Sequence, residues 1–149
     1  MKKEVKEATG TIHASGLQGA CEASIAAVQQ EYDAGKSILI MDAKQAFSNL
    51  SRDAALLTAH ILFPNAYQTL LNFYNNSTSA FYKGRIIVLE EGTIQGCSLA
   101  SHFYDLGVKM LSDEMKCQNM KQIWVCDDLT AIGEARDLKT WRDKIERVG

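Results

Sequence analysis

Three places in this 149-residue chain combine residue types that can do chemistry. Asp42 closes the apolar run Ser37-Ile38-Leu39-Ile40-Met41, and Asp127 and Asp128 stand side by side between two further apolar runs. The segment Gly92-Thr93-Ile94-Gln95-Gly96 is bracketed by glycines just ahead of a helical pattern. Phosphoryl transfer assisted by two Mg2+ ions about 3.5–4 Å apart needs carboxylates converging from different elements, because the ions must be bridged and their charge balanced. A strand-end Asp with an Asp pair at a hairpin tip can supply that set. A glycine-bracketed loop opening a helix can bring backbone N–H groups close to a phosphate or a base pair. Each feature also has a plainer use: a solvated Asp-Asp turn, an Asp capping the next helix, a loop that only turns. Their order along one chain gives the chemical reading its weight.

The elements that must hold these residues follow from periodicity. An Ala-rich stretch from Ala20, with Ile25, Val28 and Tyr32 on one helical face, is closed by Gly35. Residues 37–42 form a continuous apolar run, the pattern of a strand buried on both faces. Ser51 can cap a helix over 52–62, and Pro64 suits the first turn of another reaching residue 75. Ser79-Ala80-Phe81-Tyr82, Lys83-Gly84 and Arg85-Ile86-Ile87-Val88-Leu89 read as a β-hairpin. A helix over 98–115 presents Leu99, Phe103, Leu106, Met110 and Leu111. Residues 122–126 form a strand, Asp127-Asp128 a tight turn and 129–132 the antiparallel return. In this register Asp127 ends the strand on the face of Asp42, and Asp128, in the turn, is the more exposed. Leu138, Trp141, Ile145 and Val148 mark one face of a last helix. The order α-β-α-α-β-β-α-β-β-α fits an α+β domain, an antiparallel sheet with helices packed on one face.

Composition narrows the class. Apolar residues make up 46% of the chain and charged residues 23%, enough core-forming material for a folded domain. At this length the chain reads as one domain, with residues 1–18 a poorly ordered entry. The net charge of −2 lacks the basic footprint of a free-standing nucleic-acid binder. Cys21, Cys97, Cys117 and Cys126 show no CxxC pair, and read as buried thiols of an intracellular protein. His13, His60 and His102 fall in unrelated elements with no metal-ligand spacing. No apolar run approaches the length of a membrane span, and no Lys/Arg-rich run separates nuclear from cytoplasmic placement.

The residues around the three features resemble a family. Asp42-Ala43-Lys44-Gln45-Ala46-Phe47-Ser48-Asn49-Leu50, Glu91-Gly92-Thr93-Ile94-Gln95-Gly96-Cys97-Ser98-Leu99 and Trp124-Val125-Cys126-Asp127-Asp128-Leu129-Thr130 are similar, in order, to the three palm motifs of reverse transcriptases. The flanks, Gly19-Ala20-Cys21-Glu22-Ala23 and Trp141, are most similar to those of non-LTR retrotransposon enzymes. The resemblance implies a partial polymerase palm over residues 19–149, without most of the fingers and thumb. It implies an RNA-directed DNA polymerase in which Asp42, Asp127 and Asp128 hold two Mg2+ ions while a primer 3′-OH attacks an incoming deoxynucleotide. By the same resemblance, Ala43 offers a backbone carbonyl to a metal, Phe47 excludes ribonucleotides, and Gln95 and Gly96 contact nucleotide and template. The implied partners are an RNA or DNA template with its primer and a deoxynucleoside triphosphate, held weakly by this chain alone. Two departures stand out: Val125-Cys126 replaces the usual aromatic-Ala, and Ser98 the usual Pro. The competing reading is a palm remnant that does not polymerise and acts, if at all, as a protein-interaction module.

Overall fold

A computed structural model describes residues 18–94 and 96–148. The chain divides into two compact units. One comprises residues 45–110; the other joins described residues 18–44 to the segment from 111 onward. The first seventeen residues, with His13, lie outside the described part, as do Gln95 and Gly149.

The discontinuous unit carries the larger sheet. Helix α1 (Ala20–Asp33) ends where Gly35 adopts a φ of 84°, so the Gly35 N–H reaches Tyr32 O and the Lys36 N–H reaches Glu31 O. This is the Schellman closure that glycine permits. Strand β1 (Ser37–Asp42) follows, and β4 (Lys121–Val125) and β5 (Asp128–Gly133) join it in the order β1-β5-β4, all antiparallel. Side chains alternate across the sheet. Gln122, Trp124, Leu129 and Ala131 share one face and are buried. Helix α6 (Ala135–Val148) packs on β1 and β5 and buries Leu138, Trp141 and Ile145, three of the four residues expected on its inner face. Gln122 and Trp141 both donate to Met115 O, at 2.6 and 2.9 Å, and Trp124 Nε1 donates to Gln122 Oε1 at 3.1 Å. Buried polar groups on the sheet and helix thus satisfy one another.

Burial departs from expectation on two elements of this unit, β1 and α1. β1 is an edge strand with one open face rather than a strand buried on both, and Ile40 is 71% exposed. On α1 the expected apolar face is also open: Ile25 and Tyr32 are exposed, and Ala20 is the helix's buried residue. Periodicity identified the stripe but could not say whether anything covers it.

The continuous unit is helical with one hairpin. A short helix α2 (Ala46–Asn49), which the sequence reading missed, leads to α3 (Arg52–Leu62) and α4 (Pro64–Tyr74). Ser51 Oγ accepts from Ala54 N at 3.3 Å, the expected cap, and Pro64 opens α4. β2 (Thr78–Tyr82) and β3 (Arg85–Leu89) pair only with each other among the described residues. Lys83 and Gly84 join them with φ values of 47° and 73°, the paired positive values of a type I′ turn. Helix α5 (Ala100–Glu114) begins two residues later than expected; Phe103 and Leu106 are buried and Met110 is exposed. Tyr74 and Phe103 stack in the core at 4.0 Å. The cysteines are not buried thiols: Cys21 and Cys117 are exposed, Cys97 and Cys126 half-buried.

Candidate active site

Asp42, Ala43, Asp127 and Asp128 come together at one end of the three-stranded sheet. Asp42 is the last residue of β1 and Asp128 the first of β5, and the two are directly opposed in the register. Next to them the Ala43 N–H donates to Asp127 O at 3.2 Å. Hydrogen-bonded and open pairs alternate along an antiparallel ladder. With positions 43 and 127 bonded, Asp42 and Asp128 occupy an open pair, the kind whose side chains stand closest. Both carboxylates therefore leave the same face of the sheet side by side, at the end where that face is exposed.

The hairpin differs from the expected one by a residue. Its two-residue turn is Cys126-Asp127, with Cys126 at φ 54°, and Asp128 already belongs to β5. The expectation that Asp127 ends a strand facing Asp42 is corrected: the partner across the ladder is Asp128, and Asp127 sits in the turn. Asp128 is still the more exposed of the two, as expected, with Asp127 half-buried. Cys126 takes the left-handed conformation that suits Asn or Gly better, and its type gave no hint of a turn.

Among the described residues, no three His, Cys, Asp or Glu side chains form a ready-made metal cage. The donor chemistry nonetheless suits Mg2+, which takes one or two carboxylates and leaves its other positions to water and substrate phosphates. Asp42 and Asp128 provide two such hard oxygen donors on one face, and Asp127 a third in the adjoining turn. The Ala43 N–H is occupied by Asp127 O, which ties the ends of β1 and the hairpin together.

Phe47, Gly96 and the 91–94 segment belong to the other unit. The Phe47 ring, half-buried, stacks on Tyr104 at 4.5 Å and 22°. Its carbonyl accepts from Thr93 N at 2.7 Å, and Leu50 O accepts from Gly92 N at 2.9 Å. A Cβ on Gly92 would lie 2.3 Å from Ser48 O and 2.6 Å from Phe47 O, and φ is 76° there. Only glycine lets the loop lie flat on the backbone of 47–48. Gly96 is exposed with φ 87°. Gln95 lies outside the described residues.

Arg52 was not anticipated. It is 4% exposed, yet its Nε donates to Gly92 O at 2.8 Å and its Nη1 to Asn76 O at 2.9 Å. Its backbone N–H reaches Glu91 Oε2 at 3.1 Å, and its guanidinium lies 5.7 Å from the Tyr74 ring centroid. A helix N-terminal Arg thus fixes the glycine loop from beneath. Burial, followed by the neighbouring Cys97 thiol, pushes the Tyr74 hydroxyl well above the ordinary tyrosine range. Nothing in the sequence distinguished Arg52 from a solvated first-turn residue, because charged side chains are seldom buried.

No protein-family model matches the chain, and no curated protein matches it. Among solved structures the chain is similar to apo telomerase from Candida Tropicalis, with a TM-score of 0.67 and 13% identity. The match covers 89% of this chain and 30% of that one. At this identity the likeness is one of fold: the chain has an α+β, polymerase-like palm fold, as the motif order implied. No helix among the described residues is long and apolar enough to cross a membrane.

Proposed function

We propose that this chain is a partial palm of an RNA-directed DNA polymerase of the reverse transcriptase class, derived from a non-LTR retroelement. The observation that carries the reading is the opposition of Asp42 and Asp128 at an open ladder pair, at the exposed end of one sheet face, beside the turn that holds Asp127. Like charges directly opposed across strands oppose folding. A cation between them turns that cost into a binding site, and the motif order and the palm-like fold support a polymerase as its user. Asp42, Asp127 and Asp128 would hold Mg2+, with the Ala43 carbonyl as a further oxygen donor. When bound, the metal supplies charge stabilisation for transfer of a deoxynucleotide to a primer 3′-OH. Phe47 would set the space at the sugar, and Gln95 and Gly96 would touch nucleotide and template.

Primer extension on an RNA template with Mg2+ and deoxynucleotides tests this. Template-directed addition by the chain, lost in Asp42→Asn, is the expected result. Intact, folded protein that adds no nucleotide under any template would leave the non-polymerising palm as the correct reading.

A further inference from the structure

Between residues 61 and 89 the chain carries two charges, Lys83 and Arg85, both at the tip of the β2–β3 hairpin. Immediately beyond β3 come Glu90 and Glu91. Read along the strand, the pattern is basic tip, four apolar residues Ile86-Ile87-Val88-Leu89, acidic base. Such a strand is complementary to itself when reversed. All five residues of β3 are exposed, Ile86 at 64% and Val88 at 54%, and Phe81 across the ladder is 78% exposed.

We infer that β3 is an interaction edge for a second copy of this chain, paired antiparallel to its own counterpart. The register of the hairpin fixes which backbone groups are available. Tyr82 and Arg85 close the two-residue turn as a bonded pair, so Phe81 opposite Ile86 and Ser79 opposite Val88 are open pairs. Ile86 and Val88 accordingly turn their N–H and C=O groups toward the outer edge of β3. Two such edges bond when Ile86 of each copy faces Val88 of the other, which sets the two Ile87 residues opposite one another at the twofold axis. The basic tip of each copy then lies along the Glu90 and Glu91 end of the other. Phe81, Ile86 and Val88 of both hairpins merge into one apolar face of four strands. A two-stranded ribbon alone is marginal in water, whereas a sheet of three or more strands with an apolar face is stable. The seam is isologous, as closed dimers require. Two cations and a row of aliphatic side chains favour this partner over a nucleic acid, whose binding depends on many phosphate contacts.

Sedimentation velocity over a concentration series tests the proposal on the whole chain. Wild-type protein should show a reversible monomer–dimer equilibrium, and Ile87→Lys, at an exposed position, should weaken it about tenfold or more with unchanged circular dichroism. Arg85→Glu should weaken it as well, and adding Glu90→Arg to that variant should restore part of the loss. With Cys21 and Cys117 changed to Ser, Ile87→Cys should form a disulfide-linked dimer on mild oxidation, since an open pair brings its Cα atoms within bridging distance. A strictly monomeric wild type, or a dimer indifferent to Ile87→Lys and to the charge exchange, would overturn it. So would hairpin variants that leave association intact but abolish binding of a single-stranded oligonucleotide, which would make the hairpin a nucleic-acid contact instead.

Discussion

Two carboxylates facing each other across neighbouring strands oppose folding, and Asp42 and Asp128 do so at the exposed end of their sheet face. Neutralising either should therefore stabilise the isolated chain while removing the metal-binding role proposed for the pair. Asp128→Asn is expected to raise the urea midpoint modestly and to lower single-turnover nucleotide addition by about a hundredfold or more, the scale of a lost metal ligand. Urea titration and quenched-flow kinetics on the same preparation check both halves; destabilisation with unchanged rate would assign Asp128 to the fold alone. At this scale the sequence was informative for types and poor for geometry. Asp42, Asp127 and Asp128 were all legible, because apolar runs ending in carboxylates are conspicuous. Which acid faces Asp42 was not, since a one-residue shift of the turn exchanges the faces of the two. Arg52 stayed hidden because its role depends on carbonyls 24 and 40 residues away.

At the scale of elements, the sheet that carries the acids is held by groups away from them. Gln122 joins Met115 O and the Trp124 indole N–H in a buried relay. Gln122→Leu should cost about 1–3 kcal/mol, because it removes two buried hydrogen bonds, to Met115 O and from the Trp124 indole N–H, from the interior. Denaturant unfolding measures it, and a neutral result would mean that the relay is replaceable by packing. At the opposite end of the β1–β5 ladder from Asp42, Lys36 and Glu134 form an exposed ion pair at 2.7 Å. Hydrogen bonding to Glu134 holds the Lys36 ammonium above its ordinary pKa, and the same bond holds Glu134 below its own. The Glu134 contribution is present above the ordinary Glu value of about 4.3 and is lost as pH falls through the lowered one. The Lys36 contribution is present below about 10.4 and is lost as pH rises through the raised one. Glu134→Gln should thus lower the melting temperature slightly between those limits, with no difference in strong acid or in high salt. A difference that persists at low pH would assign Glu134 a role other than pairing. The elements themselves were largely legible: Ser51, Pro64, Gly35 and the Lys83-Gly84 turn all act as their local chemistry dictates. Burial was less so, because a stripe such as Ile25 and Tyr32 looks the same whether or not a partner covers it.

Charge sets the behaviour of the molecule as a whole. The unit of residues 45–110 is electrically balanced, with four basic and four acidic residues. The unit bearing the candidate site, residues 18–44 with 111–149, has nine basic residues against twelve acidic. Asp42, Asp127 and Asp128 account for that entire excess. A primer–template is a polyanion whose affinity rests on phosphate contacts, so in a chelator the site should repel the ligand proposed for it. Changing all three to Asn makes the unit neutral, and the variant should bind a primer–template about three- to tenfold more tightly than wild type in EDTA at low salt. In Mg2+ the ranking should close or reverse, because the metal neutralises the wild-type acids and has no purchase on the variant. Added salt should shrink the EDTA difference, since exposed charges are screened beyond about 8–10 Å. Fluorescence anisotropy titrations of both proteins, with and without Mg2+ across a salt series, read all of this. Equal affinities in EDTA, or a wild type indifferent to Mg2+, would mean that nucleic acid approaches this chain somewhere other than the carboxylate end of its sheet.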